Sequence, residues 1–187
     1  MRLELLIAAS CGQPAADAYA AFQMTDEARS AMIEVGTALL RQHPPFPGAC
    51  ALMSALYVQG LRARLSCPVH LVAGELDVDG VRVFGRTGLL SEPMPFLRSD
   101  LDWDGHMWVM VGDYVADISL LCTGRSPEGH PSLKCMMARE FAAQDGLVIV
   151  KMADARRLGL DYLPDYVLTQ EEIEGLERGA RAALPVA

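Results

Sequence analysis

His106–Leu121, HMWVMVGDYVADISLL, carries a hairpin pattern from which the rest of the chain can be placed. Two apolar runs flank Gly112-Asp113, a pair suited to a tight two-residue turn. The segment predicts an antiparallel hairpin, His106–Val111 with Tyr114–Leu121. With that turn Val111 faces Tyr114, Trp108 faces Asp117 and His106 faces Ser119. His106 and Asp117 then share a face as diagonal neighbours, roughly 7–8 Å apart at the backbone and within reach of their side chains. A three-residue turn would put them on opposite faces. An acid in so apolar a run is costly unless paired, so the register itself suggests an imidazole held by a carboxylate.

Outward from this hairpin, CPVHLVAGEL (Cys67–Leu76) and VRVFGRT (Val81–Thr87) read as strands joined through Asp79-Gly80, a strong turn signal. LVIVKM (Leu147–Met152) reads as a further strand, and residues 88–105 as a loop. Upstream, Ala28, Met32, Val35 and Leu39 recur at helical spacing within residues 25–41, with Asp26 and Glu27 in the first turn. HPPFPG (His43–Gly48) is an extended connector, because each proline disfavours helix in the residue before it. A second helix is expected from Ala49 to about Gln59, with Gly60 as a left-handed stop. It is apolar almost all round, which marks a buried helix. EEIEGLERGARAAL predicts a closing helix that Thr169 can cap. Helices followed by strands indicate an α+β fold. One domain is expected over residues 1–187: helical to about 60, β-rich over about 67–152, and a last helix over about 169–183.

The 187 residues are 51% hydrophobic and 21% charged, which excludes disorder as the main state. Sixteen basic residues against 24 acidic ones leave a net charge of −8, the wrong sign for neutralising nucleic-acid phosphates. No apolar run approaches the 18 or so residues of a membrane span. MRLELLIAASC at the start faintly resembles a lipoprotein signal, but Glu4 interrupts it, and a first strand or helix is expected. Five cysteines without a CxxC pair make poor material for a disulfide framework and point to a reducing, cytoplasmic setting.

Cys50 falls in the first turn of the buried helix, just after Pro47-Gly48. Unpaired N–H groups and the positive end of the helix dipole stabilise a thiolate there. The alternative role is a small buried hydrophobe. An oriented His106 shifts the balance, since a carboxylate on one ring nitrogen leaves the other free to take a proton from a thiol.

The order Gly48-Ala49-Cys50, an apolar helix, Gly60-Leu61-Arg62-Ala63-Arg64, Val72-Ala73-Gly74, His106-Met107-Trp108-Val109 and then Asp117 resembles the transglutaminase-like superfamily. The resemblance spans about residues 46–121. It implies a papain-like core, with a cysteine-bearing helix packed on an antiparallel sheet that carries the histidine and the aspartate. It implies Cys50 as nucleophile, His106 as general base and acid, and Asp117 as orienting carboxylate. Two positions depart from the pattern: Met110 replaces an acid common after the Trp, and Val115-Ala116 replace an aromatic residue before the Asp, although Tyr114 is close.

Acyl transfer also needs an oxyanion stabiliser. The Cys50 amide is the natural first donor; Gln42, His43 or a backbone amide could be the second. Trp108 shares the face of His106 and could wall the cleft or pack in the core. Asp100-Leu101-Asp102-Trp103-Asp104-Gly105 begins like a calcium loop, but Val111 stands where a bidentate Glu is needed. Among Cys67, His70, His106 and Cys122 only Cys67 and His70 have tight ligand spacing, so no metal and no organic cofactor is expected. The expected chemistry is a cysteine-dependent hydrolase or acyltransferase working through a thioester. Its substrate would be a peptide, a protein or a small amide or ester, with no role for nucleic acid or membrane. A non-catalytic binding or assembly module of the same fold is the alternative. Oligomeric state is not indicated.

Overall fold

Val69–Val78 alternates its side chains between two apolar layers, and the rest of the chain is arranged around it. A computed structural model of the chain describes residues 3–44, 49–85, 94–97 and 104–183. Four helices come first: α1 (Leu3–Cys11), α2 (Gln13–Ala21), α3 (Asp26–Gln42) and α4 (Cys50–Arg62). They are followed by β1 (Val69–Val78), β2 (Val81–Phe84), β3 (His106–Val111), β4 (Tyr114–Asp117), α5 (Leu120–Arg125), α6 (Pro131–Glu140), β5 (Val148–Lys151), α7 (Met152–Ala155), β6 (Leu160–Val167) and α8 (Gln170–Ala183). The fold is α+β, with helices on both faces of an antiparallel sheet.

Six described strands form that sheet. β6 pairs with β1 from Val72 to Val78. β3 pairs with Val69 to Gly74, and β2 with Leu76 to Val78. Because β6 overlaps both ranges, β3 and β2 lie end to end along the opposite edge of β1. β4 and β5 extend the sheet beyond β3. Val69, Leu71, Ala73, Met107 and Val109 face one core with α4 and α8, while Val72, Leu76, Trp108, Met110 and Val115 face the other with α1, α5 and α6.

The expected elements hold where local chemistry specifies them. Thr25 caps α3 through its hydroxyl, which accepts from the Ala28 amide at 3.1 Å. Thr169 and Glu172 form a reciprocal capping pair at the start of α8. Asp79 and Gly80 both take positive φ, 50° and 78°, as the mirror-image hairpin turn requires. α4 is buried through Met53–Val58 and Leu61, and packs against α3, α8, β1 and β3.

Three expectations are corrected. Gly60 is no helix stop: α4 runs on to Arg62, and a Cβ at Gly60 would meet Val35 Cγ1 at 2.7 Å. The glycine serves close helix–helix approach. The strand expected over Tyr114–Leu121 ends at Asp117, whose carboxylate accepts from the Ser119 and Leu120 amides and starts α5. The β-rich part does not end near 152, because β6 follows it. Its Pro164 argues against a strand, but β6 is an edge strand, and Pro164 sits opposite Gly74 at an irregularity in the ladder. α1 and α2 fall in the part expected to be helical, whereas α5 and α6 were not specified by the sequence pattern. Residues 45–48, 86–93 and 98–103, including Pro47-Gly48 and most of the acidic segment Asp100–Asp104, lie outside the described residues.

Gly74 lets β6 approach β1. A Cβ there would lie 2.1 Å from the Leu163 carbonyl oxygen and 2.9 Å from the Trp108 ring. Gly74→Ala is therefore expected to cost about 2–4 kcal/mol in denaturant unfolding. Gly80 has open space around it but φ of 78°, so Gly80→Asn should change stability by less than about 1 kcal/mol.

Candidate active site

β3 begins at His106, which sits opposite Gly74 of β1. The absence of a side chain at Gly74 leaves room on that face, and aromatic rings fill it. Phe84 stacks on the imidazole at 4.8 Å between centroids, Trp108 lies at 6.3 Å, and Tyr162 from β6 at 6.5 Å. His106 is only 1% exposed and Asp117 is 0% exposed. A two-residue turn holds the hairpin in the expected register, with Val111 opposite Tyr114 and Val109 opposite Ala116. His106 Nε2 lies 2.6 Å from Asp117 Oδ2. Ser119 is not the strand partner of His106; it belongs to the turn into α5, and its amide donates to Asp117.

Every lone-pair direction of Asp117 has work. Oδ1 accepts from the Ser119 amide at 3.1 Å, the Leu120 amide at 3.0 Å and the Ser119 hydroxyl at 3.3 Å. Oδ2 accepts from the Tyr162 hydroxyl at 3.0 Å as well as from the imidazole. Burial pushes the Asp117 pKa up, but the charge and hydrogen bond of His106, with hydrogen bonds from Tyr162 and the Ser119 amide, outweigh it and hold the carboxyl below its ordinary range. For His106, burial pushes down. The Asp117 charge and hydrogen bond, with a further contribution from Cys50, win and raise the imidazole to about 10. His106 therefore keeps its proton through neutral pH.

Cys50 is the first residue of α4 and is partly exposed. Its amide belongs to the first turn, which has no intrahelical acceptors. One turn later the Ser54 hydroxyl donates to the Met107 carbonyl at 3.2 Å, and this buried bond pins the start of α4 against the start of β3. Cys50 lies near enough to the His106 ring to help raise its proton affinity. His106 Nδ1 is buried and has no hydrogen-bond partner. The nitrogen not used by Asp117 is thus the one left for the thiol. Burial pushes the thiols of Cys11, Cys67 and Cys122 up.

The remaining expected site residues are placed differently. Trp108 does not wall a cleft; it is 0% exposed, 5.0 Å from the Tyr162 ring, and forms the floor on which the imidazole packs. Gln42 ends α3 with an exposed side chain, and His43 is buried just after it. The segment joining them to Cys50 lies outside the described residues, so a second oxyanion donor is not selected. His70, one of the metal candidates, is buried with neither ring nitrogen hydrogen-bonded and packs edge-on to Tyr19. No group of metal-ligating side chains occurs among the described residues. Cavities of about 400, 530 and 500 Å³ open beside α2, α3 and β4, away from Cys50.

Tyr162 and Phe84 are the site residues that sequence reading missed. Leu160, Tyr162 and Val167 all face the core, but Pro164 masked the strand that carries them. The chain matches no family model, no curated protein and no solved structure.

The pKa directions define a stability profile. The raised imidazole contributes in full below its unfolded value near 6.5 and loses that contribution as pH climbs toward about 10. The lowered carboxyl contributes above its unfolded value near 3.8 and loses it as pH falls through the folded value. Asp117→Asn keeps an oxygen for the Ser119 and Leu120 amides but removes the charge. Its destabilisation should be about 3 kcal/mol near pH 6 and shrink steadily toward pH 10 in urea unfolding. A pH-independent difference would assign Asp117 to backbone capping alone.

Proposed function

We propose that the protein is a cysteine-dependent hydrolase or acyltransferase with a papain-like, transglutaminase-like site, acting on the amide or ester carbonyl of a peptide, protein or small molecule. The observation that carries this reading is a buried imidazole whose Nε2 is bound to a buried carboxylate and whose Nδ1 has no hydrogen-bond partner, with Cys50 at the helix start close enough to affect it. In this reading Cys50 and His106 rest as a thiolate beside an imidazolium, the thiol proton already held on the ring. The thiolate attacks the carbonyl carbon, and the developing oxyanion is stabilised by the Cys50 amide at the helix start. His106 returns the proton to the leaving amine or alcohol as the carbon–nitrogen or carbon–oxygen bond breaks, which leaves a thioester. Water or an amine then attacks the thioester, His106 takes its proton, and Cys50 leaves as the thiolate, which restores the starting pair. Asp117 holds the ring in one tautomer and stabilises the imidazolium.

All five cysteines are free thiols, which suits a reducing, cytoplasmic setting. No helix among the described residues is long and apolar enough to cross a membrane.

Iodoacetamide at pH 6 should alkylate Cys50 ahead of Cys135, although Cys135 is the more exposed, and well ahead of the other three. His106→Asn should abolish that preference. Labelling in order of exposure would instead indicate a non-catalytic binding module. With an activated ester, intact-mass measurement should show an acyl group on Cys50. Cys50→Ser should lose turnover while changing stability by no more than about 1–2 kcal/mol, and Asp117→Asn should lose on the order of 10²–10³ in kcat.

A further inference from the structure

Tyr162 is absent from the three-residue reading, yet its hydroxyl reaches the same carboxylate oxygen as the histidine. Tyr162 Oη lies 3.0 Å from Asp117 Oδ2, and His106 Nε2 lies 2.6 Å from that atom. The phenol comes from β6, the edge strand opposite β3 across β1. The strand between them carries Gly74 opposite His106 and Leu76 opposite Tyr162, so the phenol crosses on the diagonal. Its ring packs on Trp108, and the residue is 2% exposed, so its direction is set by packing. Burial and the Asp117 charge keep the phenol protonated, and it can only donate to the carboxylate.

We propose that Tyr162 is a positioning residue that sets the proton affinity of the His106–Asp117 pair by sharing Asp117 Oδ2 with the imidazole. The proposal rests on the site described above, and it concerns the pair whether or not Cys50 turns over a substrate. A hydroxyl donated to a carboxylate withdraws part of its negative charge, so less remains to stabilise the imidazolium. Tyr162 therefore acts as a brake: it keeps the histidine proton releasable to a leaving group. The groups that bear on the pair come from every packed element. Cys50 of α4 acts on the ring, the Ser119 and Leu120 amides at the start of α5 act on Oδ1, and Tyr162 of β6 acts on Oδ2. Phe84 and Trp108 contribute uncharged ring faces.

The direction of the effect separates this role from a merely structural one. His106 can be followed by NMR of its ring carbons, assigned by the loss of its signal in His106→Asn. In Tyr162→Phe the imidazole midpoint should rise by roughly 0.5–1 pH unit, from loss of one hydrogen bond to a charged acceptor. If the hydroxyl only braces the fold, its removal loosens Asp117 and the midpoint falls or stays where it is; either result overturns the proposal. In an Asp117→Asn background, Tyr162→Phe should no longer move the midpoint, since the effect passes through that carboxylate; a surviving shift also overturns it. Should Tyr162→Phe fail to fold, the native chain with its five tyrosines replaced by fluorotyrosine provides the converse test. A more acidic phenol donates more strongly, and the midpoint should fall; a rise or no change overturns the proposal. Cys50 alkylation measured on the same samples reports on the proposed function separately: an unreactive Cys50 with a shifted His106 would sink that function and leave the role of Tyr162 standing.

Discussion

A carboxylate with no contact with solvent governs the centre of this molecule. An ionised Asp117 at 0% exposure is tolerable only because every one of its acceptor directions is filled. Its donors come from three directions: the first amides of α5, the imidazole of β3 and the phenol of β6. The requirement to satisfy one side chain thus ties together the end of β4, the start of β3 and the edge strand. It also ends β4, because the backbone must turn for Ser119 and Leu120 to reach Oδ1.

Around that point the packing is arranged to hold an imidazole still. Gly74 removes the side chain that would occupy its place opposite His106. Trp108 lies beneath, Phe84 stacks on the ring, and Tyr162 closes the carboxylate side. β2 and β3 meet end to end along β1, which is what brings Phe84 to His106. α4 is positioned independently, from the other core, by its apolar surface and by the buried Ser54–Met107 bond. The thiol at its first residue is carried to the start of β3 by that docking, so the site is built where the two cores meet at a strand end.

Much of this was legible from residue order. Gly112-Asp113 sets a two-residue turn, the turn sets the parity, and the parity puts His106 and Asp117 on one face. The all-round apolar surface of Cys50–Arg62 marks a buried helix, and Thr25 and Thr169 mark helix starts through chemistry confined to three or four neighbouring residues. Such features are encoded locally, because turn conformation, strand alternation and capping depend on a few adjacent side chains.

What required the tertiary structure depends on partners far apart in the chain. Tyr162 is 45 residues from Asp117, and the pattern of its own strand is interrupted by a proline that only an edge position tolerates. Gly60 has a glycine's local preference for a helix end, yet contact with Val35 of a neighbouring helix decides its use. Trp108 could have walled a cleft or filled a core; the layer of helices on its face put it in the core. Residue order alone sets which residues share a strand face and where Cys50 enters a helix, since those are matters of period and turn. The tertiary structure decided which polar groups meet in the interior, because a buried charge takes its donors from whichever elements the two cores bring within about 3 Å.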